Sequence, residues 1–302
     1  MQASAQDDAV IGFIGLGVMG EPICRNMLTK SGRRFRVFDL AAEPLARLAA
    51  EGAEVAASVA DIAASCDLIF LSLPGGPQVE TVVAGPGGLL EHARPGQVIV
   101  DTSTAPVGLT RDLAAKLAAK GARMADAPVA RTRQAAIDGT LSIMVGAEPE
   151  LFAELEPWLR HAASDVTRCG GIGCGQVVKI LNNMVLFETV VALGEALALG
   201  EGAGVDRGLL FDTLSKGSAD SFALRNHGMK AMIPDVFPTG AFPTTYALKD
   251  VSYALDLARE MGIAAPGAAL AEARMQVARD AGFGAEYFPV LARVTGRDAG
   301  RE

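Results

Sequence analysis

Short, nearly uninterrupted apolar runs alternate with longer amphipathic segments through the first half of the chain. AVIGFI (9–14), FRVFD (35–39), DLIFLSL (67–73), QVIVDTS (97–103) and TLSIMVGA (140–147) read as strands. Between them, AAEPLARLAAEG and LTRDLAAKLAAKG carry apolar residues at helical spacing, and each closes on a glycine suited to end a helix. EPELFAELEPWLRHA reads as the last helix of this half. Strands without a polar face, separated by helices, predict a parallel sheet covered on both sides.

Past Gly175 the strand signal stops. Residues from Gln176 to about Gly202 form one helix that is apolar on nearly all sides, which predicts burial in a second domain or against another subunit. AFPTTYALKDVSYALDLAREMG and AALAEARMQVARDAG supply further helices. The expected fold class is therefore an α/β Rossmann-type parallel-sheet domain over residues 1–172. An all-α domain follows over 173–302, joined to it by the long helix.

Composition narrows the function classes. The net charge is −8, and one Trp with three Tyr leaves few stacking platforms, so no nucleic-acid partner is expected. Cys24, Cys66, Cys169 and Cys174 form no CxxC pair and read as reduced thiols. MQASAQDDAV is acidic where a secretory leader is basic, and Glu188 and Glu195 interrupt the most apolar stretch. A soluble cytoplasmic protein with no membrane partner is expected. Its three scattered histidines predict no metal.

GFIGLGVMGEP sets Gly15, Gly17 and Gly20 in G-x-G-x-x-G spacing. In a chain with 34 glycines that pattern alone is weak. Here it leaves a strand and opens a helix with Pro22 in its first turn, as a pyrophosphate loop requires. Asp39 closes the second strand, where a carboxylate accepts from both ribose hydroxyls and repels a 2′-phosphate. Leu40 and Ala41 follow with no arginine, so NAD is favoured, with NADP possible. The plainer alternative is a glycine-rich turn that holds no ligand.

In GGIGCGQVVKILNN (170–183), Lys179, Asn182 and Asn183 share one helix face, with Gly175 a turn before them. An ammonium among apolar neighbours is partly desolvated, which moves a lysine toward the range of roughly 7–8 suited to proton transfer. A snorkelling lysine beside ordinary amides is the bland alternative.

These motifs, with Leu73–Pro74, DTST (101–104), DAPV…GTLSIMVGA (126–147), GxGxxxKxxNN (173–183) and Lys249–Asp250, run nearly end to end. Together they identify the chain as similar to the β-hydroxyacid dehydrogenase family. The resemblance implies an NAD-dependent oxidoreductase interconverting a short anionic β-hydroxyacid and its semialdehyde. It implies Lys179 as proton donor and acceptor, with Asn183 holding the substrate beside it. Leu16, Val18 and Met19 would join the three loop glycines around the pyrophosphate. Leu73, Pro74, Thr104 and Lys249 would complete the cofactor contacts, and Phe242 and Asp250 the substrate contacts. Family members form homodimers or homotetramers through the helical domain. Imine reductase-like chemistry usually goes without the lysine, and a non-catalytic nucleotide-binding scaffold would have lost it. Lys179 argues against both.

One stretch departs from the family. After DAPV most members carry Ser-Gly-Gly, which holds a substrate carboxylate. This chain has Ala130, Arg131 and Thr132. The Arg-Thr pair is similar to the sulfolactaldehyde reductase branch, in which the arginine is implied to grip a sulfonate. Ala136, Gly139 and Thr140 are shared with that branch, whereas Arg133 and Gln134 are not. A planar guanidinium suits such an anion. The alternative is that Arg131 pairs with a nearby carboxylate such as Asp138. Candidate substrates are thus 3-hydroxyisobutyrate, glycerate or tartronate semialdehyde, and sulfolactaldehyde.

Overall fold

The computed structural model describes residues 10–295. Residues 1–9, read above for leader character, and 296–302, the end of the expected second domain, lie outside them. Two compact units divide the chain between Lys179 and Ile180. That division falls inside the long helix Cys174–Gly202, because its first turn is hydrogen-bonded into the first unit.

Among the described residues the first unit holds nine strands: β1 (Ile11–Ile14), β2 (Phe35–Phe38), β3 (Glu54–Val55), β4 (Leu68–Leu71), β5 (Val98–Asp101), β6 (Arg123–Asp126), β7 (Val129–Ala130), β8 (Leu141–Gly146) and β9 (Ala163–Gly170). Their order is β3-β2-β1-β4-β5-β6-β8-β7, with β9 also on β8. From β3 to β6 every pairing is parallel. The sheet then turns mixed: β8 runs antiparallel to β6 and β7 and parallel to β9.

The apolar runs follow from two-sided burial. Side chains alternate across a strand, so a strand covered on both faces needs apolar residues at every position. Phe13, Phe70 and Val100 enter one core, against Ile23 and Met27 of the helix Gly20–Ser31. Ile14, Leu71 and Ile99 enter the other, against Ile62, Val79 and Leu113. The chain moves outward from β1 through β2 to β3, and from β4 through β5 to β6 on the opposite side. The switch point between β1 and β4 is where such sheets take their ligands, beyond the carboxyl ends of the strands.

In the second unit the described helices are the remainder of the long helix, Arg207–Leu214, a π-helical stretch Leu224–Met232, Thr244–Met261, Pro266–Ala278, a second π-helical stretch Arg279–Phe283 and a 3₁₀ segment Phe288–Arg293. Phe187, Val190 and Leu197 of the long helix pack in this core with Phe211, Leu224, Met275 and Phe288. By length and composition that helix could cross a membrane. Its role here is that of the unit's core helix. Burial is not all-round, however: Val185 is 57% exposed and Leu199 74%, with Val178 and Leu181 at 40% each.

Candidate active site

The glycine loop leaves β1 as the spacing predicts. Gly15 has φ +93, and a Cβ there would sit 2.3 Å from the Ser72 carbonyl oxygen. At Gly20 it would lie 2.1 Å from the Gly15 oxygen, so both positions exclude any larger residue. Around Gly17 no atom comes within 4 Å of such a Cβ. That open cradle, with exposed Val18 and half-buried Met19 before the helix start, suits close approach of a pyrophosphate to main-chain N–H groups. Asp39, just past β2, accepts from Leu16 N at 2.6 Å and from Ala41 N at 2.7 Å. Its carboxylate is thereby oriented at the loop.

Three further stretches reach the same carboxyl edge. Beyond β4, Leu73 N donates to Ser103 Oγ at 2.8 Å, which joins the Leu73–Pro74 turn to the loop after β5. Ser103 N in turn donates to Asp101 Oδ1 at 2.9 Å. Thr104 is half-buried on this loop. The start of the long helix closes the arrangement through Gln176, a fully buried amide. Its Nε2 donates to the Ser103 oxygen at 2.8 Å and its Oε1 accepts from Ala105 N at 3.1 Å. Asp126, at the end of β6, accepts from Gly173 N at 2.6 Å and Gln176 N at 2.7 Å, capping the helix across the chain. Burial pushes its carboxyl up to about 6 against the pull of those bonds. Lys179 follows Gln176 by one turn and is half-buried.

The loop at 130–132 is held by hydrogen bonds of its own side chains. Ala130 pairs with Ser142 of β8. Arg131 has φ +87, rare for any residue but glycine. Its guanidinium is engaged within the protein: it donates to the Thr140 oxygen, to Ser164 Oγ at 2.7 Å and to Asp165 Oδ2 at 2.6 Å. Hydrogen bonds from Ser164 and Arg131 hold the Asp165 carboxyl below its ordinary range. Asp138, the nearer carboxylate in sequence, accepts from Gln134 instead. The Thr132 hydroxyl caps the short helix Arg133–Asp138 by accepting from Ala135 N at 3.3 Å. Both side chains expected to face a substrate anion thus hold the loop itself. Asp165 reaches Arg131 because β9 pairs with β8, and the mixed polarity of Ala163–Gly170 concealed that strand from periodicity.

In the second unit, Asn183 Nδ2 donates to Asp250 Oδ2 at 2.7 Å, both residues buried. Lys249 Nζ lies 2.9 Å from the other Asp250 oxygen and over the rings of Tyr246 and Tyr253. Phe242 stacks on Phe187 and meets Phe288 edge-on. His227, which the sequence reading left among scattered histidines, joins this aromatic cluster through Phe288 and Tyr287.

The family model describing the NAD-binding domain of 6-phosphogluconate dehydrogenase matches residues 10–171. A second, describing the NAD-binding domain of NADP-dependent 3-hydroxyisobutyrate dehydrogenase, matches 173–294. The chain is 36% identical over 284 residues to the 2-(hydroxymethyl)glutarate dehydrogenase of Eubacterium barkeri, covering 94% of each chain. It belongs to the β-hydroxyacid dehydrogenase family. The 3-hydroxyisobutyrate dehydrogenase of Pseudomonas aeruginosa is 35% identical over 269 residues, 86% of this chain and 89% of that one. The Mycobacterium tuberculosis 3-hydroxyisobutyrate dehydrogenase, solved with L-serine, superposes with a TM-score of 0.85 at 29% identity, covering 95% of this chain and 99% of its own. As a β-hydroxyacid dehydrogenase, this protein is an NAD(P)-dependent oxidoreductase acting on the CH–OH group of small hydroxyacids. The parallel-sheet unit followed by a helical one is the family architecture. Within it, Asp126, Ser103 and Gln176 are the residues that sequence reasoning quoted inside motifs but gave no role. For Asp126 and Gln176 a lone polar residue in an apolar or glycine-rich stretch was the one signal available, and Ser103 is one of four consecutive polar residues.

Proposed function

We propose that this enzyme prefers NAD and interconverts a short β-hydroxyacid bearing a carboxylate with its semialdehyde. The observation that carries the reading is that the Leu73–Pro74 turn, the Thr104 loop and the helix start before Lys179 are hydrogen-bonded together at the sheet edge where the glycine loop packs against Ser72. A bound NAD supplies the two-electron acceptor, and NADH the donor. Main-chain N–H groups of the Gly15–Gly20 loop hold the pyrophosphate and Asp39 the ribose, with Leu73, Pro74, Thr104 and Lys249 completing the grip. The Asp39 carboxylate and the absence of arginine at 40 and 41 favour a free 2′-hydroxyl.

Lys179 moves the proton. As the neutral amine it takes the hydroxyl proton from the substrate; as the ammonium it returns a proton to the carbonyl oxygen. Asn183 orients the substrate, with Phe242 and Asp250 shaping its surroundings. The engagement of Arg131 by Asp165 favours a carboxylate held by the main chain of Ala130–Thr132 over a sulfonate gripped by the guanidinium. The same reading keeps residues 1–172 for the cofactor and 173–302 for substrate and subunit contacts. It takes exposed Val185 and Leu199 as support for a homodimer or homotetramer, and it keeps the protein in the cytoplasm.

A steady-state panel tests it. 3-Hydroxyisobutyrate, 2-(hydroxymethyl)glutarate and L-serine would be offered with NAD and NADP, and tartronate semialdehyde and sulfolactaldehyde with NADH. Turnover of a carboxylate substrate with NAD at higher kcat/KM than with NADP is expected. Preference for sulfolactaldehyde would return Arg131 to the anion, and preference for NADP would overturn the role of Asp39.

A further inference from the structure

Gln176 is fully buried at the head of the long helix, and both polar atoms of its side chain are hydrogen-bonded. Its main-chain N–H donates to Asp126 Oδ2 at 2.7 Å. Its side-chain amide makes two bonds of opposite polarity to one short piece of chain, donating to the oxygen of Ser103 at 2.8 Å and accepting from the N–H of Ala105 at 3.1 Å. Thr104 lies between those two groups. The next turn of the helix carries Lys179. An amide that spans a single residue in this way restrains the rotation of that residue's flanking peptides as well as its position.

The helix side of the clamp is equally constrained. A Cβ at Gly175 would lie 2.4 Å from the Met144 oxygen and 2.8 Å from Asp126 Oδ2, so the helix start is pressed onto β8 and β6 without slack. Gly173 N and Gln176 N both end on Asp126, at 2.6 and 2.7 Å. On the loop side, Ser103 is also tied to Leu73. The chain from Leu73 to Lys179 therefore runs through one amide.

We propose that Gln176 is a positioning residue that fixes the register between the Thr104 loop and the proton-transferring Lys179. The proposal rests on the function proposed above. The chemistry requires glutamine. Asparagine is one methylene short. Methionine matches the length but leaves the Ser103 oxygen and the Ala105 N–H buried without partners. Ionised glutamate turns an acceptor toward the Ser103 oxygen. Protonated glutamate restores the pattern, because its O–H donates and its C=O accepts.

The test compares Gln176→Met and Gln176→Glu with the unaltered enzyme, after thermal melts fix a temperature at which all three are folded. In Gln176→Met, kcat is expected to fall by about 10- to 100-fold while the Kd for NADH, read by fluorescence, changes much less, as a shift of about 1 Å between reacting groups predicts. In Gln176→Glu, the ratio of its kcat to that of the unaltered enzyme is expected to climb toward acid pH as the buried carboxyl takes a proton. A kcat in Gln176→Met within twofold of the unaltered enzyme overturns the proposal. So does a flat ratio in Gln176→Glu, which is the deciding result if the methionine variant does not fold. Lack of hydroxyacid turnover in the unaltered enzyme overturns the proposed function, and this inference with it.

Discussion

Asn183 and Asp250 meet through a 2.7 Å hydrogen bond between two helices of the second unit, with both residues buried. Asp250 holds Lys249 on its other oxygen, so a single carboxylate orients an amide and an ammonium. Removing it takes one carboxylate acceptor from both the buried amide and the ammonium. Asp250→Ala is expected to destabilise the second unit by about 1–3 kcal/mol, and Asp250→Asn by less because its carbonyl can still accept from Asn183. Denaturant titration of the two variants measures the difference, and equal losses would show that the Asn183 bond is not what Asp250 contributes.

Lys179→Ala separates binding from chemistry. The glycine loop and Asp39 do not depend on the lysine, so NADH affinity is expected to stay within a few-fold. Loss of the proton-transfer group should lower kcat by about 10²- to 10⁴-fold. Fluorescence titration with NADH beside steady-state turnover checks both halves. Near-normal kcat would sink the assignment of the lysine.

Arg131 and Asp165 form an exposed pair, 2.6 Å apart. If the guanidinium serves the loop, Arg131→Met and Asp165→Asn break the same tether and raise the KM for the acid to a similar degree, with the KM for NAD unchanged. If the guanidinium instead holds the substrate anion, Asp165→Asn frees it and KM stays level or falls. The two variants assayed side by side distinguish these cases without a structure.

His227 is buried in the π-helical stretch with its Nδ1 against the Tyr287 hydroxyl, and burial lowers its pKa to about 4. Burial likewise raises the Tyr287 phenol to about 12. The native state keeps the imidazole neutral, whereas the unfolded chain takes up the proton near its ordinary pKa of about 6.5. Stability from this group is therefore complete above about pH 6.5 and falls as pH drops toward 4, by about 3 kcal/mol at the limit. Asp126, raised to about 6, acts in the opposite sense over much of that range, since its native state holds a proton that the unfolded chain has released. The effect of His227 is isolated by subtraction: the stability difference between the unaltered protein and His227→Gln should shrink from pH 7 to pH 4.5 in urea titrations. A constant difference would mean that the histidine titrates normally.

Much of the fold and part of the site were legible in the chain. Strands buried on both faces have to be apolar throughout, so β1, β4 and β5 announced themselves, and helical periodicity marked the elements between them. Gly15 and Gly20 were readable because a turn with φ +93 and contacts near 2 Å allow no other residue. The placement of Asp39 just past β2 and of Lys179 in the second turn of the long helix was readable because each follows from a local element. By contrast, β3 and β7 have two residues each, and β9 is too polar to alternate, so none carries a period to detect.

Local sequence by itself determined the strand–helix alternation, the glycine loop, the carboxylate just past β2 and the lysine helix, since each is a property of consecutive residues and their spacing. Tertiary structure decided the partners. Asp165 rather than Asp138 engages Arg131 because β8 and β9 lie side by side. Gln176 spans Thr104, and Asp250 finds Asn183 across 67 residues. A buried polar group must be satisfied by whatever the folded chain brings within about 3 Å, and that distance is set by strand register and helix packing, which no local pattern encodes.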